Sequence, residues 1–158
     1  MNNKGYALIE LMSVLGIVSI LATISIISLK ADKLKGATKM IYYDLHYARM
    51  AAIKERTNFR VTFYNTNGHT YEIHHDVNSN DNKDDGESVI SKDIHTLFRG
   101  ISFISSIAES TTTATFNSVG MTNLDPGDEV SIIITDGSDT KNVIFSREGR
   151  VRINGASN

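Results

Sequence analysis

The chain has 158 residues and a formal net charge of −2 at neutral pH. This length fits one domain plus a membrane segment. The small negative net charge does not favour a protein that attracts nucleic acid through its overall charge. Binding through a local basic patch is still compatible with it. Because the chain has no cysteine, it can form no disulfide, thiolate nucleophile or zinc–thiolate site.

A short basic leader, Met1 to Gly5, is followed by a long apolar stretch. Residues 11–29 carry no charge, and as a helix they would span about 28 Å, close to the roughly 30 Å hydrocarbon core of a bilayer. Glu10 is the only charge between residues 6 and 29. A carboxylate costs roughly 2.5–3.5 kcal/mol near the centre of a membrane helix and less near its end, so we expect Glu10 to have a function.

Two other interpretations of the apolar stretch are open. A secretory signal peptide usually has a shorter apolar region that ends at a small-x-small cleavage site. A plain single-pass anchor explains the length of the stretch but neither Gly5 nor Glu10.

The positive-inside rule favours a cytoplasmic C-terminal side, because more lysines follow the stretch than precede it. These lysines are Lys30, Lys33, Lys35 and Lys39.

The helical pattern continues beyond the apolar stretch. Small and aliphatic residues recur at spacings of three and four, with polar residues between them. We therefore predict one helix from Tyr6 to Arg56, apolar in its first half and amphipathic in its second half. The apolar stripe of the second half requires a sheet to cover it. The stripe consists of Leu34, Ala37, Ile41, Leu45, Ala48 and Ala52.

After Thr57 the pattern changes to a period of two. Phe59, Val61 and Phe63 alternate with polar residues, which predicts a strand. Glycine-containing turn signals separate further short apolar segments. Six or more short strands after one long helix predict an α+β domain with an antiparallel sheet packed on that helix. The further predicted strands lie at 71–74, 88–90, 101–104, 113–117, 130–135, 142–145 and 151–153.

The segment Gly5-Tyr6-Ala7-Leu8-Ile9-Glu10-Leu11-Met12, with its basic leader and the apolar run that follows, resembles the processing site of type IV pilins and type II secretion pseudopilins. In that family a prepilin peptidase cuts after the glycine, the new first residue is N-methylated, and the glutamate is used in subunit assembly. The resemblance therefore implies cleavage after Gly5, methylation of Tyr6 and assembly through Glu10.

Cleavage would leave an α-amino group on Tyr6 that is largely cationic at neutral pH. Glu10 lies four residues further on, one helical turn away on the same face. A charge in lipid needs an opposite charge. The amine and the carboxylate can pair within one subunit, or the amine can pair with the glutamate of a neighbouring subunit in a filament. The resemblance implies the second arrangement.

Three further segments are distinctive: the helix end at 44–54, the acidic loop at 76–87 and the ending at 144–153. Through them the remainder of the chain resembles the pseudopilin H and FimT group of minor pilins. This resemblance implies a pilin-like α+β fold in which a long N-terminal helix, membrane-spanning in its first half, packs against an antiparallel β-sheet. The implied division is a leader at 1–5, a transmembrane part at 6–29, an amphipathic part at 30–56 and a β-rich globular domain at 57–158.

The resemblance implies a subunit of a type II secretion pseudopilus or a type IV pilus. Its partners would be the prepilin peptidase, other pilin or pseudopilin subunits and the inner membrane. The C-terminal domain would be periplasmic or part of a surface filament. No cofactor and no enzymatic activity are implied. A membrane-anchored enzyme is a further alternative, but no Ser-His-Asp spacing, phosphate-binding glycine-rich loop or HExxH motif is present.

The loop at 76–87 is dense in oxygen ligands. Asp76, Asn78 and Asn80 alternate as in the first half of an EF-hand loop, and Glu87 falls at position twelve. The pattern departs at Asp81, which stands where an EF-hand has glycine. The two open interpretations are a weak calcium site and a solvated loop of turn-forming residues.

A basic cluster surrounds Gly149 near the C-terminus. In FimT-type minor pilins a Gly-Arg-x-Arg motif of this kind is linked to DNA binding during natural transformation, and the resemblance implies this alternative function. Arginine contacts phosphate with two parallel hydrogen bonds, and such binding is salt-sensitive. The other interpretation is a hairpin with solvated arginines. The cluster consists of Arg147, Arg150, Arg152 and Lys141.

Overall fold

The computed structural model describes residues 4–107 and 109–155, with the side chains of 4–8 and 22–31 left out of that description. The chain divides into two compact units, one ending at Lys33 and the other beginning at Leu34. Helix α1, Lys4–Glu55, supplies the described residues of the first unit and the first element of the second. It ends one residue before the predicted position, because Arg56 takes the left-handed conformation with φ 58°.

Within the first unit, the large apolar side chains between Ile9 and Leu21 are exposed. The only polar side chains described among them are Glu10, Ser13 and Ser19. In the described part of the chain, no helix meets the combined requirement of length and apolar character for crossing a membrane.

The second unit adds eight strands and a short helix to the end of α1. The strands form two antiparallel sheets of four, with orders β3-β2-β1-β5 and β4-β6-β7-β8. The strands are β1 Asn58–Tyr64, β2 Thr70–Asp76, β3 Val89–Asp93, β4 Ser102–Ser105, β5 Thr111–Phe116, β6 Glu129–Thr135, β7 Thr140–Ser146 and β8 Val151–Gly155.

The α+β class and the antiparallel pairing predicted from the sequence are confirmed, but the division into two sheets was not predicted. Helix α2, Ile94–Leu97, was also missed. Asp93 caps this helix by accepting hydrogen bonds from the backbone N–H groups of His95 and Thr96 at 2.8 and 3.2 Å. An aspartate directly before a short apolar segment is the sequence signal for such a cap.

One apolar core joins α1 to both sheets. All six residues of the predicted stripe on α1 are buried in it. The two sheets meet where the ring of Phe63 on β1 contacts the ring of Phe103 on β4 edge-on, with centroids 5.5 Å apart. Such aromatic contacts contribute about 0.5–1.5 kcal/mol beyond the burial of their surface. The period-three-and-four pattern of α1 therefore identified the face that the sheets cover.

Candidate functional site

The predicted processing and assembly residues lie at the start of α1. Gly5 and Tyr6 belong to the helix, but the side chain of Tyr6 and the leader residues 1–3 lie outside the described residues. Glu10 is exposed, and its backbone carbonyl oxygen accepts a hydrogen bond from Ser13 Oγ at 2.8 Å. Its carboxylate has no ion-pair partner among the side chains that the structure describes.

The surroundings of Glu10 are apolar. Ile9 and Leu11 on either side are 67 and 60% exposed. An exposed apolar helix surface of this kind is stable only against lipid or another protein. Burial of the same surface would also bury the Glu10 carboxylate, which then requires a positive partner.

In the acidic loop, the Asp76 carboxylate is fully buried and satisfied by backbone groups. Its Oδ1 accepts from the N–H of Asn80 at 3.2 Å, and its Oδ2 accepts from the N–H of Asp81 at 3.0 Å. The side-chain amides of Asn78 and Asn80 donate to Asp84 Oδ2 at 2.7 and 2.6 Å. Asp76 therefore supports the turn of the loop, in the manner of an Asx turn.

Glu87 closes the same loop from its other end. Its Oε1 accepts from the N–H of Val77 at 2.9 Å, while Oε2 accepts from the N–H of Asp84 at 3.1 Å and contacts His74 Nε2 at 2.7 Å. The His74 and Glu87 side chains are each only 6% exposed. The hydrogen bond from the Asp84 N–H, followed by those from His74 and Val77, lowers the pKa of Glu87 from 4.5 to about 2.

The oxygens of Asp76 and Glu87 thus already accept hydrogen bonds from the loop backbone. Within residues 4–107 and 109–155, no group of three or more His, Asp or Glu side chains is arranged to hold a metal ion. A weak calcium site at Asp76, Asn78, Asn80 and Glu87 stays one of the two interpretations of the loop, and a binding experiment tests it.

The four basic residues near the C-terminus do not form one patch. Arg152 on β8 lies opposite Ile144 and donates from Nη2 to Glu129 Oε2 at 2.6 Å. Lys141 on β7 is three residues from Ile144 and therefore points to the other face of the sheet. Arg147 and Arg150 lie in the hairpin that connects β7 to β8, where the Arg150 carbonyl accepts from the N–H of Ser146 at 3.1 Å.

Lys141 instead joins two lysines of α1. Lys35, Lys39 and Lys141 line one cavity of about 290 Å³ together with Thr38 and Ile153. The sequence pattern did not indicate this grouping, because it depends on which sheet face covers α1.

The glycine of the Gly-Arg-x-Arg motif has a packing role. Gly149 is buried with φ 70°, and a Cβ atom at this position would fall far inside contact distance of the Gly120 carbonyl oxygen. Arg49 of α1 donates from Nε to the same oxygen at 3.1 Å. Gly149 therefore allows the β7–β8 hairpin to pack where Arg49 of α1 bonds the Gly120 carbonyl. Sequence reasoning missed Arg49, since nothing in its spacing distinguishes it from a solvated residue.

A second contact that the sequence did not indicate lies under α1. Asp44 accepts hydrogen bonds from Lys92 Nζ at 2.8 Å on both oxygens and from the Tyr71 hydroxyl. Burial, together with the hydrogen bond to Asp44, raises the pKa of Tyr71 far above its ordinary range. This network connects the helix to β2 and β3.

The fold resembles solved structures of pilin-like proteins. Two crystal forms of the type IV minor pilin FimU of Pseudomonas aeruginosa PAO1 align with TM-scores of 0.57 and 0.59, at 17 and 18% identity. These alignments cover 76 and 78% of this chain and 91 and 90% of FimU. The minor pseudopilin EpsH of the Vibrio cholerae type 2 secretion system aligns over 80% of this chain and 99% of its own length, with TM-score 0.56 and 13% identity.

At such identities the structural likeness establishes a shared fold, that of a pilin-like protein. A model of the prokaryotic N-terminal methylation motif matches residues 1–26. The model of type II transport protein GspH matches residues 37–156. The chain belongs to the GspH family, and it is a minor pilin or pseudopilin subunit. No curated protein matches the chain, and neither the family nor the fold supports the DNA-uptake alternative.

Proposed function

We propose that this subunit is cut after Gly5 by a prepilin peptidase, is anchored in the inner membrane by residues 6–29, and enters a secretion pseudopilus or type IV pilus through Glu10. Methylation of Tyr6 would follow cleavage. The globular domain would lie in the periplasm or on the filament. The role is structural, with no catalytic chemistry assigned to any residue.

The observation that carries this proposal is the position of Glu10. Its carboxylate lies among exposed apolar side chains and has no ion-pair partner among the described side chains. When that surface enters lipid or a filament core, the carboxylate needs a cation. The α-amino group that cleavage creates on Tyr6 of an adjacent subunit has the required charge.

The first test concerns processing. Full-length chain is expressed with the cognate peptidase and extracted from membranes, and its N-terminal peptide is analysed by mass spectrometry. We expect the mature chain to begin at Tyr6 and to carry one added methyl group. A chain that still begins at Met1 in the presence of active peptidase would contradict the proposal.

The second test concerns assembly. Glu10→Ala should leave membrane insertion intact, measured by resistance to alkaline carbonate extraction, and abolish recovery of the chain in the sheared filament fraction. Ser13→Ala is the matched control, because it changes a neighbouring polar residue without removing the charge. Normal incorporation of the Glu10→Ala chain into filaments would show that the carboxylate has no role in assembly.

A further inference from the structure

The cavity lined by Lys35, Lys39 and Lys141 is a second candidate site, in addition to the processing and assembly residues at the start of α1. The three side chains come from two elements, α1 and β7, and surround a volume of about 290 Å³. That volume lies near the lower end of the roughly 300–1,000 Å³ that ligand pockets occupy. It would therefore accommodate a small anionic group rather than a large ligand.

The positive charge of this cavity is not neutralised by the protein. None of the three lysines forms an ion pair with a carboxylate among the residues that the structure describes. Lys83 and Lys92 elsewhere in the domain do form such pairs, with Glu72 and Asp44. Three uncompensated ammonium groups around one cavity repel each other, and a bound anion would remove that repulsion.

The rest of the lining is apolar or already satisfied. Thr38 Oγ1 donates to the Leu34 carbonyl at 2.7 Å and is 1% exposed, so it offers no hydrogen bond to a ligand. Ile153, which is 38% exposed, is the apolar residue of the lining. A lining that combines three ammonium groups with an isoleucine and the aliphatic stems of the lysines suits a ligand with a phosphate beside an apolar part.

The position of the cavity along the chain points to the source of that ligand. Lys35 follows the end of the apolar stretch, Leu29, by six residues. Six residues span at most about 20 Å in any conformation. If residues 6–29 lie in the membrane as proposed above, Lys35 is held within reach of the phosphate layer of the bilayer. Juxtamembrane lysines bind anionic lipid surfaces by this charge attraction.

We infer that the cavity of Lys35, Lys39 and Lys141 binds the phosphate headgroup of an anionic phospholipid in the leaflet that faces the globular domain, an inference that rests on the proposed membrane anchor. Lys35 and Lys39 are among the lysines whose position conflicts with the positive-inside rule. Headgroup binding gives these lysines a role other than setting the orientation of the anchor.

The test uses the full-length chain in detergent micelles doped with phosphatidylglycerol or, for comparison, phosphatidylcholine. Because the chain has no cysteine, a fluorophore on Asn154→Cys reports binding next to Ile153. Each lysine near an anionic surface contributes roughly fivefold in affinity. We expect Lys35→Gln/Lys39→Gln/Lys141→Gln to lose on the order of 100-fold in phosphatidylglycerol affinity.

The matched control is Lys54→Gln/Arg56→Gln/Arg99→Gln, which removes the same charge from exposed positions outside the cavity. It should bind phosphatidylglycerol within about twofold of wild type, since headgroup attraction falls off within a Debye length. Lys141→Arg keeps the charge and should retain binding. Circular dichroism of the triple variant, compared with wild type, checks that its loss of binding is not a folding defect.

Four results would overturn the inference: equal affinities of the triple variant and its control, no preference for phosphatidylglycerol over phosphatidylcholine, full competition by an equal concentration of inorganic phosphate, or duplex DNA binding that depends on the same three lysines. A failure of the proposed membrane anchor gives a different result, because alkaline carbonate would then release the wild-type chain from membranes. The preference of the cavity for phosphatidylglycerol can still be measured in micelles in that case.

Discussion

Arg49 Nε and the carbonyl oxygen of Gly120 form a hydrogen bond of 3.1 Å between residues 71 positions apart in the chain. Gly149 packs against the same carbonyl group, with no room for a side chain. Helix α1, the turn at 117–120 and the β7–β8 hairpin therefore meet at one point. This contact accounts for the glycine of the Gly-Arg-x-Arg motif without any ligand.

Gly149→Ala should destabilise the protein by more than about 3 kcal/mol. The left-handed backbone, φ 70°, costs a non-glycine residue roughly 1–2 kcal/mol, and the added Cβ would collide with backbone atoms that cannot rotate away. Chemical denaturation of the full-length chain in detergent micelles, followed by circular dichroism, measures the change in the free energy of unfolding.

Gly127→Ala is the control for that substitution. Gly127 also has positive φ, 92°, but an added Cβ there meets no heavy atom within 4 Å. Gly127→Ala should lower the free energy of unfolding only by the cost of the left-handed backbone for alanine, about 1–2 kcal/mol. Equal losses in the two variants would mean that the contact between Gly149 and Gly120 does not constrain the hairpin.

The sequence predicts local features of this domain well and long-range ones poorly. The stripe on α1 follows from helical periodicity alone, and all six of its residues are buried. The separation of Lys141 from Arg152 was not predictable, because it follows from the β7–β8 register, in which Ile144 lies opposite Arg152. Shifting that register by one residue would exchange the two faces.

The same distinction applies to the candidate site residues. Gly5 and Glu10 are recognisable because their spacing belongs to a linear motif. Arg49 and Asp44 form hydrogen bonds with Gly120 and Tyr71, which follow them by 71 and 27 positions in the chain. No spacing rule marks such partners, since they meet only after the strands have paired.

Asp44→Asn should lower the free energy of unfolding by about 2 kcal/mol, since it leaves the ammonium group of Lys92 without its carboxylate. The two side chains are only 13 and 29% exposed, so water compensates incompletely. Lys83→Met, which breaks the more exposed pair with Glu72, should cost less than about 1 kcal/mol. Urea unfolding of the full-length chain in micelles compares the two, and similar losses would exclude a special role for Asp44.

The Glu87 carboxylate should make stability dependent on acid pH. Its pKa is lowered to about 2 in the folded chain, against 4.5 ordinarily. Ionised Glu87 therefore stabilises the fold above about pH 4.5, and this contribution is lost as the pH falls from about 4.5 towards 2. Urea midpoints measured across that window should fall less steeply for Glu87→Gln than for wild type. Asp85→Asn, an exposed carboxylate in the same loop, should keep the wild-type slope; an unchanged slope in Glu87→Gln would contradict the assignment.

We expect the loop at 76–87 not to bind calcium at millimolar concentration. Both oxygens of Asp76 accept backbone N–H groups, and a calcium ion would have to displace these bonds while it collects six to eight oxygen ligands. Calorimetry of the full-length chain with millimolar calcium should give no heat beyond the magnesium control, and Tm should not rise. A one-to-one binding isotherm that Asn78→Ala weakens would establish the site instead. The Asp76 carboxylate would keep the N–H of Asp81 as a partner in that variant, although Asn78 shares the Asn80 N–H with it.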